Sequence, residues 1–156
     1  MLNRILPQQF NNNYRGHKLA LWLFIPILFL KIGISLSSIF DTYNVVRSAD
    51  GIPIDTFTSV GAEAVVSVTT LLGLSQFLLA TLGVLALIRY RAMIPLMYVL
   101  FLVEYLAKKW ILLVKPIVRT GTSSGTYVNL VLIGLLIAGL VLSVRTKPSN
   151  RMTAQE

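Results

Sequence analysis

The residues with chemical potential in this chain are charges set inside apolar stretches. Between Met93 and Lys115 the sequence is apolar except for Glu104, Lys108 and Lys109. An earlier apolar run contains Lys31, and another contains Gln76. A charge near the centre of a membrane helix costs about 2.5–3.5 kcal/mol on insertion scales, so it persists where it faces protein, water or a partner. Glu104 and Lys108 are spaced i,i+4 in the favoured order, acid first. Two uses fit these types and spacings. One is an ion pair that fixes helix register; the other is the polar wall of a ligand or ion pocket. Catalysis has weaker support. Lys31 and Ser35 lie one turn apart, the spacing of a Ser–Lys dyad, but membrane helices often carry Ser for packing. Acid–base chemistry would rest on Lys31 or Glu104 alone. The expectation is a protein that is not an enzyme.

Composition narrows the field. The chain has 156 residues, of which 55% are hydrophobic and 13% charged, with a mean hydropathy of +0.74. Soluble domains average about 25% charged residues, so this is the composition of an integral membrane protein. With no Cys and a single His, His17, the chain offers no disulfide, thiolate metal site, Cys nucleophile or His cluster. No cofactor or metal is expected. The formal charge of +8 comes from residues that flank apolar segments. That pattern fits anionic membrane lipid as the partner and not nucleic acid.

The elements that would carry these charges follow from apolar runs and their breakers. Residues 1–18 read as a polar, basic cytoplasmic tail, either disordered or with a short interfacial segment. A first membrane helix is expected over 19–40, bent by Pro26. A cleaved signal peptide is the rival there, but the run is long for one and Lys31 interrupts it. Asp50-Gly51 and Pro53 mark a turn, and Asp55 or Thr56 can cap a second helix over 57–88. The short basic link Arg89-Tyr90-Arg91 makes a hairpin with a third helix over 92–115, which Pro116 ends. A flexible Gly/Ser/Thr loop leads to a fourth helix over 127–144 and a cytoplasmic tail over 145–156. The fold class is therefore all-α: an integral membrane four-helix bundle with a transmembrane domain over 19–144.

Lysine and arginine bias sets the orientation. With the N-terminus cytoplasmic, the inner side holds Arg4, Arg15, Lys18, Arg89, Arg91, Arg145, Lys147 and Arg151. The outer side holds Arg47, Lys115 and Arg119, with Lys108 and Lys109 near the outer interface. Both termini are thus expected in the cytoplasm of a bacterial cell, the chain being multi-pass in the inner (plasma) membrane. Trp22 and Tyr90 at one boundary, and Tyr43, Trp110 and Tyr127 at the other, fit aromatic belts.

Depth arithmetic then groups the polar residues. Lys31 and Glu104 each lie about 18 Å from the start of their helices at 1.5 Å per residue, and Gln76 lies as far from the inner end of its own. Helical spacing adds Ser35, Ser38 and Thr42 to the Lys31 face. The expectation is a buried Lys31–Glu104–Gln76 cluster, with Lys108 as a second partner for Glu104 and Ser35 beside it. The polar face would widen outwards to Glu63 as a cavity. Lys109 would snorkel to headgroups. Gly134 and Ala138 form a small-xxx-small pair that permits close helix approach.

The segment Arg89-Tyr-Arg-Ala-Met-Ile-Pro-Leu-Met, followed by Glu104, Lys108–Lys109 and Lys115-Pro-Ile-Val-Arg, resembles that of small uncharacterised bacterial inner-membrane proteins. The resemblance covers roughly residues 45–144. In size and helix count the chain also resembles DoxX-like four-helix membrane proteins, some of which are linked to respiratory or redox systems. Neither resemblance carries over residue roles. Two functions therefore stand as expectations. The first is a non-catalytic accessory subunit or self-associating bundle, with a protein partner or a homo-oligomer. The alternative is a small-molecule or lipid-binding membrane module or carrier with a pocket open to the outer side.

Overall fold

A computed structural model describes residues 5, 12, 14, 16–120 and 123–145. Among them are four long helices: α1 (Lys18–Phe40), α2 (Ser59–Ile88), α3 (Ile94–Val114) and α4 (Ser124–Val144). No described residue lies in a strand. The helix edges follow local chemistry. Thr58 caps α2, its hydroxyl accepting the Gly61 N–H at 3.2 Å. Asp55 and Thr56 do not cap it; they lie in a 3-10 turn over Ile54–Thr56. A second 3-10 turn, Arg91–Met93, leads into α3, where Pro95 occupies the first turn at no hydrogen-bonding cost. Pro26 sits inside one continuous α1. The fourth helix starts three residues before the expected Tyr127.

Helix α1 packs most extensively on α2 and also lies against α4, which in turn packs on α3. Small residues bring α1 and α2 together: a Cβ on Gly73 would stand 2.8 Å from the Ser38 Cβ, and one on Gly83 would stand 2.8 Å from Leu28. Across the core, α1 meets α3 through aromatic rings instead. Phe24 stacks on Phe101 with centroids 5.8 Å apart and meets Tyr98 edge-on at 5.1 Å. The Tyr98 hydroxyl donates to the Ala20 carbonyl at 2.7 Å.

Little of the helix surface is inside. In α1, α2 and α4 the most apolar stretches are only 33%, 22% and 22% buried. Trp22, Phe29, Leu71, Leu113 and Val131 are all more than 60% exposed. Soluble monomers rarely expose apolar surface on this scale. These three helices are long and apolar enough to cross a membrane. Helix α3 has the length as well, but carries Glu104, Lys108 and Lys109.

The end of the bundle where α1 and α3 finish is capped. The chain over 42–56 folds back, burying Val46 and Ile54. Gly51 turns it at φ +69°, a left-handed conformation that favours glycine. The segment expected to be a flexible loop before α4 is latched onto this cap. Thr120 N–H donates to the Gly51 carbonyl, the Ser123 hydroxyl to the Ala49 carbonyl, and Arg119 to the Thr126 hydroxyl at 3.0 Å. At the opposite end, Tyr14 and His17 of the N-terminal tail dock on α4. The Tyr14 hydroxyl donates to Ser143 Oγ at 3.1 Å, and the His17 N–H to the Leu142 carbonyl at 3.3 Å. The remainder of both tails lies outside the described residues.

Candidate functional site

The ion cluster is built by two helices. From α1, Lys31 reaches across the core, 1% exposed, and its Nζ stands 2.6 Å from Glu104 Oε2 on α3. One turn further along α3, Lys108 Nζ stands 2.7 Å from Glu104 Oε1. Each carboxylate oxygen thus accepts from a different ammonium. Aromatic faces complete the Lys31 site, with Phe101 at 4.7 Å and Tyr105 at 4.6 Å from ring centroid to Nζ. A desolvated cation over a ring gains about 2 kcal/mol, which helps offset the loss of water. No buried side-chain polar atom among the described residues lacks a hydrogen-bond partner.

Two expected members stand apart. Gln76 is half-buried on α2 and makes no hydrogen bond to Lys31 or Glu104 among the described residues. The contacts of Gly73 with Ser38 and of Gly83 with Leu28 set the α1–α2 register. That register places Ala80, not Gln76, at the level of Lys31; Gln76 is one turn nearer the capped end, opposite Ser35. Ser35 is buried, but its hydroxyl donates to the Ile32 carbonyl of its own helix at 2.8 Å. With Lys31 committed to Glu104, the Ser–Lys dyad is not assembled.

The outward-widening cavity also differs from expectation. Ser38 and Thr42 donate to carbonyls of α1, and Thr42 pairs with Thr70 Oγ1 at 2.9 Å, so that face serves α1–α2 packing. Glu63 is exposed. A cavity of about 270 Å³ lies instead between the end of α3 and the start of α4. Lys108, Lys109 and Arg119 line it, together with the polar side chains of Thr126 and Asn129. Leu112, Leu113, Ile117 and Leu130 supply an apolar wall. The ring of Tyr105 also lines it, and that same ring stacks under Lys31. The cavity therefore abuts the buried cluster, with Lys108 belonging to both. Sequence reading found Lys108 through its spacing to Glu104. Arg119 and Asn129 carried no such signal.

Asp50, in the cap, faces Arg119 and Lys108. Burial nonetheless pushes its carboxyl above the ordinary aspartate value, the two cations only partly opposing this. A carboxyl whose folded value is raised loses stability as pH rises through it, because the unfolded chain ionises more easily. Wild type should therefore weaken relative to Asp50→Asn as pH climbs above the ordinary aspartate value of 3.8. The difference should vanish below it. Thermal unfolding of both proteins in detergent between pH 3 and pH 7 checks this; a constant difference across the range would refute it.

Compared with known proteins, the chain matches no family model, no curated protein and no solved structure.

Proposed function

We propose that this is a non-catalytic, multi-pass membrane protein that binds a small amphiphile in the cavity between α3 and α4. The observation that carries the reading is the lining of that cavity: three cations, one hydroxyl and one amide set among leucine and isoleucine side chains. Small-molecule sites commonly combine a mostly apolar wall with a few convergent polar groups. In this reading α3 is a fourth span. It has 21 residues, about 31 Å at 1.5 Å per residue and enough for the hydrocarbon core. Its most deeply placed charge, Glu104, is neutralised inside the protein. The Lys31–Glu104 pair then fixes the register of α1 against α3, while Lys108 links it to the ligand. An orientation with the capped end outside the cytoplasm of a bacterial inner membrane is supported by the excess of lysine and arginine expected on the other side, Arg4, Arg15, Lys18, Arg89, Arg91, Arg145, Lys147 and Arg151.

The test is native mass spectrometry of protein extracted in mild detergent, wild type beside Leu130→Trp. Leu130 is about half exposed and lines the cavity, so an indole there fills the space without disturbing the core. Wild type should carry one non-covalent amphiphile that the variant loses. Equal loading of both, or none on either, refutes the reading.

A second reading, an assembly component, has its own observation. The small residues Gly73, Ala80 and Gly83 of α2 are buried, Gly73 and Gly83 against α1, but Gly134 and Ala138 of α4 are exposed, and a Cβ on Gly134 would meet nothing within 4 Å. The pair expected to permit close helix approach thus faces out of the bundle. Self-association through it predicts that Gly134→Leu converts a detergent-solubilised oligomer to monomer. An unchanged size on light scattering would remove this reading.

A further inference from the structure

We infer that the ligand of the α3–α4 cavity is an anionic phospholipid, its phosphate held by Lys108, Lys109 and Arg119 and its acyl chain lying along the apolar wall. This rests on the amphiphile-binding reading above and names the chemistry of the ligand.

Charge is the first argument. Among the described residues no carboxylate lines the cavity. The local count is also positive. Lys31, Lys108 and Glu104 together leave one positive charge; Lys109 and Arg119 add two, and Asp50, facing Arg119 and Lys108, takes one back. A site that remains positive after its own ion pairs are formed calls for an anion. A zwitterionic headgroup would bring a further cation beside three already present.

Donor geometry is the second. An ammonium has three N–H donors, and Lys108 uses one on Glu104. Its remaining donors are free for phosphate oxygens. Arg119 donates one N–H to Thr126 beside the cavity, and its planar fork carries further donors suited to phosphate oxygens. The third argument is depth. Lys108 lies six residues before the end of α3 at Val114, about 9 Å along the axis, and Arg119 lies beyond that end. The cations thus span the boundary where phosphates of a bilayer sit. Below them, Leu130 on α4 leads to exposed Val131 and Ile137. A free phosphate would leave this apolar wall uncovered; a phospholipid covers it.

The experiment titrates the full-length protein in neutral detergent with dioleoyl phosphatidylglycerol or dioleoyl phosphatidylcholine, read by native mass spectrometry. Arg119→Ala and Lys109→Ala are compared with Lys115→Ala, which removes an exposed charge that does not line the cavity. The expected result is one phosphatidylglycerol per protein, bound at least tenfold more tightly than phosphatidylcholine. Arg119→Ala and Lys109→Ala should each lose about tenfold for the anionic lipid only, Lys115→Ala should lose little, and millimolar inorganic phosphate should not displace the lipid. Equal affinity for the two lipids, or equal behaviour of all three variants, overturns the inference while leaving an amphiphile site in place. Displacement by inorganic phosphate alone identifies a free anion as ligand and overturns the lipid assignment. If neither lipid binds one to one, or Leu130→Trp binds both as wild type does, the amphiphile reading itself falls. Melting of each variant in detergent separates lost binding from lost fold.

Discussion

Replacing Glu104 by Gln should destabilise the protein by about 3–5 kcal/mol, the usual cost of removing one partner from a buried ion pair. The size follows from what is left behind. Lys31 is 1% exposed and sits between the rings of Phe101 and Tyr105. Without Glu104 it retains aromatic faces but no anion. Lys108 behaves differently. At 38% side-chain exposure it can turn to water or to the cavity, so Lys108→Met should cost no more than about 1 kcal/mol, as for an exposed pair. The double variant Lys31→Met/Glu104→Leu removes both buried charges and keeps similar volume. It should recover most of the loss, because a buried pair contributes little net stability over an apolar replacement of similar size. Reversible unfolding in mixed detergent and dodecyl sulfate measures all four proteins. A Glu104→Gln cost below 1 kcal/mol, or a double variant no better than the single, would show that Lys31 is not held by Glu104. The same series separates register from binding: the double variant should still load lipid, since Lys109 and Arg119 are untouched.

The pairing of Lys31 with Glu104 was legible because the physics is restrictive. Two opposite charges in apolar helices, each a dozen residues from a helix start that shares one side, have few ways to avoid meeting. Gln76 failed the same arithmetic for a reason the sequence does not carry. Counting from helix ends assumes that the ends are level, and they are not. By the contacts of Gly73 and Gly83 with α1, Ile88 at the end of α2 is level with Leu23, more than one turn inside the start of α1 at Lys18. Small residues on α2 set that stagger by letting it close on Ser38 and Leu28, and an amide has too weak a demand for a partner to resist it. The cavity was illegible for a different reason. It depends on Arg119, which lies in a segment that reads as flexible Gly/Ser/Thr loop. Its order comes from bonds to Gly51 and Ala49, about 70 residues earlier in the chain. Helix spans, by contrast, come from apolar runs, caps and prolines, all local, and most helix ends were read to within two or three residues.

Gly139→Ala should be strongly destabilising for a single added methyl, at about 3 kcal/mol, the upper part of the range for overpacking a well-packed core. A Cβ at this position would collide with Cε1 and Cζ of Tyr98 and stand 2.6 Å from its hydroxyl. The ring cannot swing away cheaply. Tyr98 is fully buried, meets Phe24 edge-on and is tied to the Ala20 carbonyl through its hydroxyl. Accommodating the methyl therefore means pushing α4 off α3 or breaking the bond from α3 to α1. Gly134→Ala, five residues earlier on the same helix, meets no atom of another element within 4 Å among the described residues. It should be neutral or slightly stabilising, since alanine favours helix over glycine by about 1 kcal/mol. The pair is a controlled comparison: same substitution, same helix, opposite faces. Shortening the obstacle should then rescue the damage, so Gly139→Ala/Tyr98→Leu is expected to be more stable than Gly139→Ala alone, even though Tyr98→Leu by itself loses a hydrogen bond and a ring contact. Unfolding midpoints in one detergent decide the matter. Equal effects of the two alanines would mean that α4 does not present Gly139 to the core, and with it the placement of α4 beside α3, on which the cavity depends, would have to be redrawn.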